Sequence, residues 1–242
     1  MGTPVGVESD VTYRTITAKA SRPRSEQKRR VILEAATEAF LGNGYSRTSM
    51  DEVARLARVS KQTVYMHFGD KERLLFEIVM AIIKTASNPF DDEIVRLGDS
   101  VNLQVDLRDH ARRQVTLVLQ PRPMQLRRLV IAEAVTFPEL GRAFYESGPG
   151  RTIGELTKAF QRLNDRGLLA VTDPARAASD FNWLIMSDPL NHAMLLGKNE
   201  PPDADSINEW ADQAVATFLA AYSPTASRKL RRRSPTSTNP KG

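Results

Sequence analysis

Lys61, Gln62, Thr63, Tyr65, His67 and Lys71 fall within eleven residues, in the stretch VSKQTVYMHFGDK. The amide and hydroxyl groups at its start offer donors and acceptors of the kind that read base edges in a DNA major groove. The phenol, imidazole and ammonium groups that follow suit phosphate oxygens. Thr48 and Ser49, a dozen residues upstream, add two hydroxyls that could join the same surface. A helix of about two turns is unstable alone in water. Such a polar front therefore needs an apolar back, for which Val64 and Phe68 have the spacing.

The elements that would hold this helix can be read from the same region. Ile32, Ala35, Ala36, Ala39 and Phe40 recur at helical spacing up to Gly42-Asn43-Gly44, which predicts a first helix over residues 25–42. Ser49 with Glu52 forms a capping pair that opens a second helix, with Met50, Val53, Ala54 and Ala57 on one face. Ser60 is placed to cap the third helix and Asp70 the fourth. The fourth carries an apolar stripe from Leu74 to Ile83 that is expected to end before Pro89. The second and third helices, joined by a tight turn at Arg58-Val59, form a helix-turn-helix whose second member is shaped to enter a major groove.

Helical spacing continues over residues 91–97, 105–119, 122–136, 138–147, 150–166, 174–197 and 204–222, with breaks at Pro121, Pro138, Gly148-Pro149, Gly167 and Pro201-Pro202. Pro189 falls inside one of these segments and is expected to kink or split it. No segment alternates like a strand, so the fold class is all-α. A three-helix DNA-binding domain is joined through the fourth helix to a larger helical domain. The expected organisation is a basic arm over residues 1–24, the DNA-binding domain over 25–85, a ligand-binding and dimerisation domain over 86–222, and a basic tail over 223–242.

Of 242 residues, 41% are hydrophobic and 26% charged, ordinary for a globular chain. There is no cysteine, which excludes disulfides, thiolate metal sites and cysteine nucleophiles. Three scattered histidines, His67, His110 and His192, do not form a metal motif, and no metal or other cofactor is expected. The segment ESGPGRT lacks a phosphate-loop lysine, and no catalytic constellation appears, so an enzyme is not expected. No apolar run is long enough to span a membrane, and a cytoplasmic, nucleoid-associated location is expected. The net charge of +5 is uneven. Residues 1–30 hold seven basic groups against three acids, and the tail from Arg228 holds six and no acid, which leaves the middle acidic. Basic ends point to a polyanion or are simply solvated.

The run ILEAATEAFLGNGYSRTSMDEVARLARVSKQTVYMHFGDKERLL resembles the DNA-binding domain of the tetracycline-repressor (TetR) family. The resemblance is carried by Ala39, Phe40, Gly44 and Tyr45, by the Thr48-Ser49 entry, by the third helix, and by Lys71 with Leu74. It implies that Lys61, Gln62 and Thr63 lie nearest the bases and that Tyr65 and Lys71 contact the backbone. The family often has glycine where this chain has Arg58; a left-handed arginine there would cost roughly 1 kcal/mol. Downstream, RLVIAEAVTFPELGRAFYESGPGRTIGELTKAFQRLNDRGLL is similar to the AefR-like branch of C-terminal domains. That similarity implies a homodimer formed through the last two helices, and an effector cavity beneath the fourth.

Phe137, Phe144, Phe181 and Met186, with Phe160, Trp183 and Met194, supply an aromatic and methionine-rich interior that suits an apolar or aromatic small-molecule effector, or equally a plain helical core. The 204–222 segment carries an apolar seam four turns long, either core or subunit interface, with Trp210 and Phe218 as candidate anchors of a dimer. The reading these features support is a sequence-specific transcriptional regulator, a repressor released from a palindromic double-stranded operator by its effector. The alternative is an architectural DNA-binding protein that has no inducer.

Overall fold

The computed structural model describes residues 9–196 and 202–224, and the side chains within them except those of residues 9–23 and 86–91. Among the described residues there are ten α-helices and no strand: α1 (Ser9–Asn43), α2 (Met50–Leu56), α3 (Lys61–Phe68), α4 (Lys71–Leu97), α5 (Leu103–Val118), α6 (Pro121–Glu133), α7 (Pro138–Ser147), α8 (Pro149–Asp165), α9 (Pro174–Leu195) and α10 (Ala204–Tyr222). The expected all-α class holds. The chain divides into two compact units, Met1–Ile78 and Val79–Gly242.

In the first unit, α2 packs on both α1 and α3. The capping chemistry sets where the short helices begin. The Ser49 hydroxyl accepts from the Glu52 amide at 3.1 Å, and the Ser60 hydroxyl from the Thr63 amide at 3.1 Å. The Asp70 carboxylate accepts from the Arg73 amide at 2.7 Å. Each bond satisfies one of the amides that a helix start leaves without a partner. Val64 and Phe68 are buried together with Ile32, Phe40, Val53 and Ala57. Burying Val64 and Phe68 stabilises by roughly 1.5–3 kcal/mol each, far more than the intrinsic propensity of two helical turns could supply. The Arg29 guanidinium lies 5.0 Å from the centroid of the Phe68 ring and also pairs with Glu77.

The second unit buries its apolar residues in one cluster, within which α8 packs on α9, and α10 on α5 and α9. Its centre is aromatic: the Phe181 and Phe218 ring centroids are 4.8 Å apart, with Phe160 5.1 Å from Phe218 and 5.6 Å from Phe181. Pro121, Pro138, Pro149 and Pro174 each open a helix, where the missing amide hydrogen would have had no helical partner anyway.

Three expectations change. Helix α1 starts at Ser9 rather than at residue 25. The segment from Ser9 to Ser21 has no apolar periodicity and contains neither glycine nor proline, and the helix runs on through Pro23 into the expected segment. Helix α4 continues through Pro89 to Leu97 instead of ending before it. An interior proline costs about 3 kcal/mol, and Ile94 and Leu97, buried beyond it, hold the last turns in place. Pro189 likewise lies within an unbroken α9 and is itself buried. Of the two basic ends, residues 1–8 and 225–242 lie outside the described residues, as does Pro201.

Candidate nucleic-acid interface and ligand cavity

With Val64 and Phe68 turned inward, α3 exposes Lys61, Gln62, Tyr65 and Met66, which recur one turn apart along the opposite face. Gln62 makes no intramolecular hydrogen bond among the described residues, so its amide is available to a base edge. Lys61 Nζ lies 2.8 Å from Asp51 Oδ1. The hydrogen bond that Lys61 donates to Asp51, and then the aspartate charge, raise the Lys61 pKa above its ordinary value. Both groups are well exposed, so this pair is weak and a phosphate could replace it. Lys71 Nζ sits 4.1 Å from the Tyr45 ring centroid, which holds an ammonium beside the capped start of α4.

Other residues of the expected interface are engaged within the fold. Thr48 is buried, and its hydroxyl donates inward, toward the carbonyls of Ala39 at 3.2 Å and Gly44 at 3.0 Å. It therefore adds no hydroxyl to the surface; it ties the α1 end to the α2 start. Ser49 is exposed, but its oxygen caps α2. The Thr63 hydroxyl is 2.8 Å from that of Ser60, inside the α3 cap. His67 is half-buried, and its Nε2 is enclosed without a hydrogen-bond partner among the described residues. Met66, 73% exposed on the same face as Gln62, was not singled out from sequence. Its signal was its position four residues after Gln62, which matters only once the buried face is fixed.

In the turn between α2 and α3 Arg58 is left-handed, with φ of 53°. The Val59 amide donates to the Ala54 carbonyl at 3.0 Å, and the Arg58 amide to that of Arg55 at 3.2 Å. This is the paired closure of a Schellman helix end, where the position of Arg58 is usually glycine. Helix α8 ends with the same pair of bonds, Leu168 to Leu163 and Gly167 to Asn164, both 2.9 Å, and there a glycine takes the left-handed place at φ 72°.

The second unit contains a cavity of about 130 Å³. Ile82 and Ile83 of α4, Leu117 and Val118 of α5, and Trp183 and Met186 of α9 supply much of its apolar wall. Of the four expected effector contacts, Phe144 and Met186 line it. Phe137, at the start of α7, does not, and Phe181 is fully buried in the aromatic core against Phe160 and Phe218. Periodicity marks all four as inward-facing but does not distinguish a packed centre from a hollow. The cavity also holds polar residues that the sequence reading passed over: Gln114, Arg127, Arg151 and Asn182. Among the described residues there is no cluster of three metal-ligating side chains, and no helix long and apolar enough to cross a membrane.

One of the two expected dimer anchors, Phe218, is drawn into the core. Phe218 is fully buried within its own chain, and Trp210 is half-buried against the same cluster. The broad seam of α10 is thus spent on the core of the second unit. The outward side of α10 carries Gln213, Ala216, Thr217 and Ala220 instead.

Residues 32–78 match the family model for bacterial regulatory proteins of the tetR family, and residues 105–224 match that for the C-terminal domain of AefR-like transcriptional repressors. A crystal structure of a Mesorhizobium loti protein assigned to the TetR family of transcriptional regulators is 38% identical, with a TM-score of 0.76 over 83% of this chain and 98% of that one. The flavonoid-responsive regulator FrrA is 30% identical, with a TM-score of 0.67 over 82% of this chain and 98% of its own. The HTH-type transcriptional regulator YhgD of Bacillus subtilis is 43% identical over 68 residues, which is 28% of this chain and 36% of that protein. The matches to curated relatives such as YhgD thus span only about a third of their length.

Proposed function

The chain belongs to the TetR family of bacterial regulatory proteins, and from that premise we propose that it is a homodimeric transcriptional repressor, acting on the nucleoid in the cytoplasm. It binds a palindromic operator through the α2–α3 helix-turn-helix and is released by a small apolar or aromatic ligand in the cavity of its second unit. The observation that carries this reading is the division of α3. Val64 and Phe68 are buried, while Lys61, Gln62, Tyr65 and Met66 are exposed on the other side. A helix so short, supported from behind by about 3–6 kcal/mol of burial, presents the unpaired Gln62 amide and the Lys61 ammonium outward, as a major-groove reader must.

A single such helix reads too few base pairs to bind tightly, so two copies are required, spaced about one turn of DNA or a multiple of it. Release follows from linkage: a ligand that prefers one separation of the two reading helices must weaken binding to an operator that prefers the other. Helix α4 carries Lys71 near its start and Ile82 and Ile83 on the cavity wall, which makes it the covalent route between the two events.

Selection of bound fragments from random DNA tests this reading. A recovered inverted repeat, bound with a specificity ratio over random duplex of at least about 10³ at physiological salt, supports it. Recovery of fragments that share no sequence would leave only non-specific binding and overturn it.

A further inference from the structure

Inside the cavity the charged groups are of one sign. Two guanidiniums line it, Arg127 and Arg151, and no aspartate or glutamate does. Arg127 lies 5.2 Å from the centroid of the Phe144 ring, which also lines the cavity. Among the described residues no carboxylate pairs with Arg127, and burial pushes its pKa below the ordinary arginine value. A cation partly withdrawn from water with only a ring face beside it is costly, and an anion would find it already partly desolvated. On another part of the wall, Gln114 Nε2 donates to Asn182 Oδ1 at 2.8 Å. That bond leaves Gln114 Oε1 and Asn182 Nδ2 buried and, among the described residues, without a partner: one acceptor and one donor on two residues that line the same hollow. The volume of about 130 Å³ is close to the ~150 Å³ of a cavity that admits a benzene ring.

We infer that the cavity takes a monocyclic aromatic carboxylate, with the carboxylate on the Arg127 guanidinium and the ring against Phe144 and the aliphatic wall. This deepens the proposed function and rests on the cavity being its effector site. The planar guanidinium fork receives a carboxylate through two parallel hydrogen bonds, a geometry that a neutral amide or ester of the same shape cannot reproduce. A hydroxyl on the ring would complete the amide pair, accepting from Asn182 Nδ2 and donating to Gln114 Oε1. The ligand's charge, more than its shape, then decides affinity.

The test is calorimetric titration of the full-length protein with benzoate and 4-hydroxybenzoate, and with benzamide and methyl benzoate as neutral counterparts. The wild type is expected to bind the carboxylates at least tenfold more tightly than the neutral pair. Arg127→Met should bring benzoate down to the level of benzamide without changing benzamide, and Arg127→Lys, which keeps the charge but not the fork, should fall between. Equal binding of benzoate and benzamide by the wild type, unchanged benzoate affinity in Arg127→Met, or binding of none of the four overturns the inference. Operator release is read separately on the selected DNA. Carboxylates that bind without releasing DNA would support the charge assignment and sink the regulatory reading. Release by neutral ligands alone would do the reverse.

Discussion

Replacing Arg58 by glycine should stabilise the protein and weaken its hold on DNA at the same time. The arginine sits at φ 53°, the only non-glycine residue with positive φ among those described. For an L-residue that region costs about 1–2 kcal/mol. Glycine removes this strain but gives back about 0.5–1 kcal/mol through its more flexible unfolded chain. The arginine side chain is exposed and makes no ion pair or hydrogen bond among the described residues, so its loss removes no folded-state contact. The net gain is about 0.5–1 kcal/mol, equivalent to a rise in Tm of about 1–4 °C for a chain of this length. Urea denaturation of wild type, Arg58→Gly and Arg58→Asn should place asparagine, which tolerates the left-handed region, in between. Arg55→Gly, in the last turn of α2, is the control and should lose about 0.5–1 kcal/mol. Removing the cation beside the reading helix should also lower the slope of log affinity against log salt by about one unit. An Arg58→Gly protein no more stable than wild type, with asparagine equal to both, would show that the turn is not strained.

Gln62→Ala should relax base preference at one or two operator positions, losing about 1–3 kcal/mol there; equal losses on operator and random duplex would remove Gln62 from the reading surface. Phe218→Ala should cost about 3–5 kcal/mol in urea denaturation, because the ring is enclosed by Phe160, Phe181 and Tyr222. A Phe218→Ala protein of wild-type stability that runs as a monomer in light scattering would return this residue to the subunit interface. The Tyr222 hydroxyl donates to Asp180 at 2.6 Å, and this hydrogen bond, followed by burial and the aspartate charge, pushes its pKa up to about 12. A pKa raised in the folded state means that the contribution is full below the unfolded value near 10 and fades as the pH climbs to 12. The Tm difference between wild type and Tyr222→Phe should accordingly shrink over that window, and a constant difference would contradict the assignment.

What the sequence revealed and what it hid divide along a physical line. Ser49, Ser60 and Asp70 were legible as caps because a cap is a local event, one side chain bonding an amide three residues ahead. The buried and free faces of α3 were legible because helical spacing sorts residues within a single turn. Thr48 was not, since a threonine that meets the carbonyls of Ala39 and Gly44 looks the same in sequence as one that faces DNA. Phe218 was misplaced for a similar reason: the width of an apolar seam reports how much surface needs covering, not whose side chains cover it. Pro89 and Pro189 misled in the other direction. Their local penalty of about 3 kcal/mol is real, but it is outweighed by buried neighbours whose positions only the folded chain reveals.

The cavity shows that line most clearly, and it yields the last prediction. Phe144 and Met186 could be guessed as lining because aromatic and methionine residues are what helical interiors hold, yet for the same reason they say little about the ligand. The informative residues are the polar exceptions, and Gln114, Arg127 and Asn182 come from α5, α6 and α9, with no local spacing to betray that they line one cavity. If Arg127 were part of the scaffold, its replacement would act like other core truncations and cost about 2–5 kcal/mol. Without a carboxylate partner it should act in the opposite sense, since a well-packed apolar side chain in place of a desolvated charge is neutral or stabilising. Ligand-free Arg127→Met is therefore expected to unfold at the same or a higher urea concentration than wild type. Its stability should also rise with added benzoate only at concentrations at least tenfold higher than those that stabilise the wild type, since binding to the folded state stabilises by mass action. A ligand-free Arg127→Met protein that has lost 2 kcal/mol or more would make the arginine a structural residue and leave the cavity without its anion site.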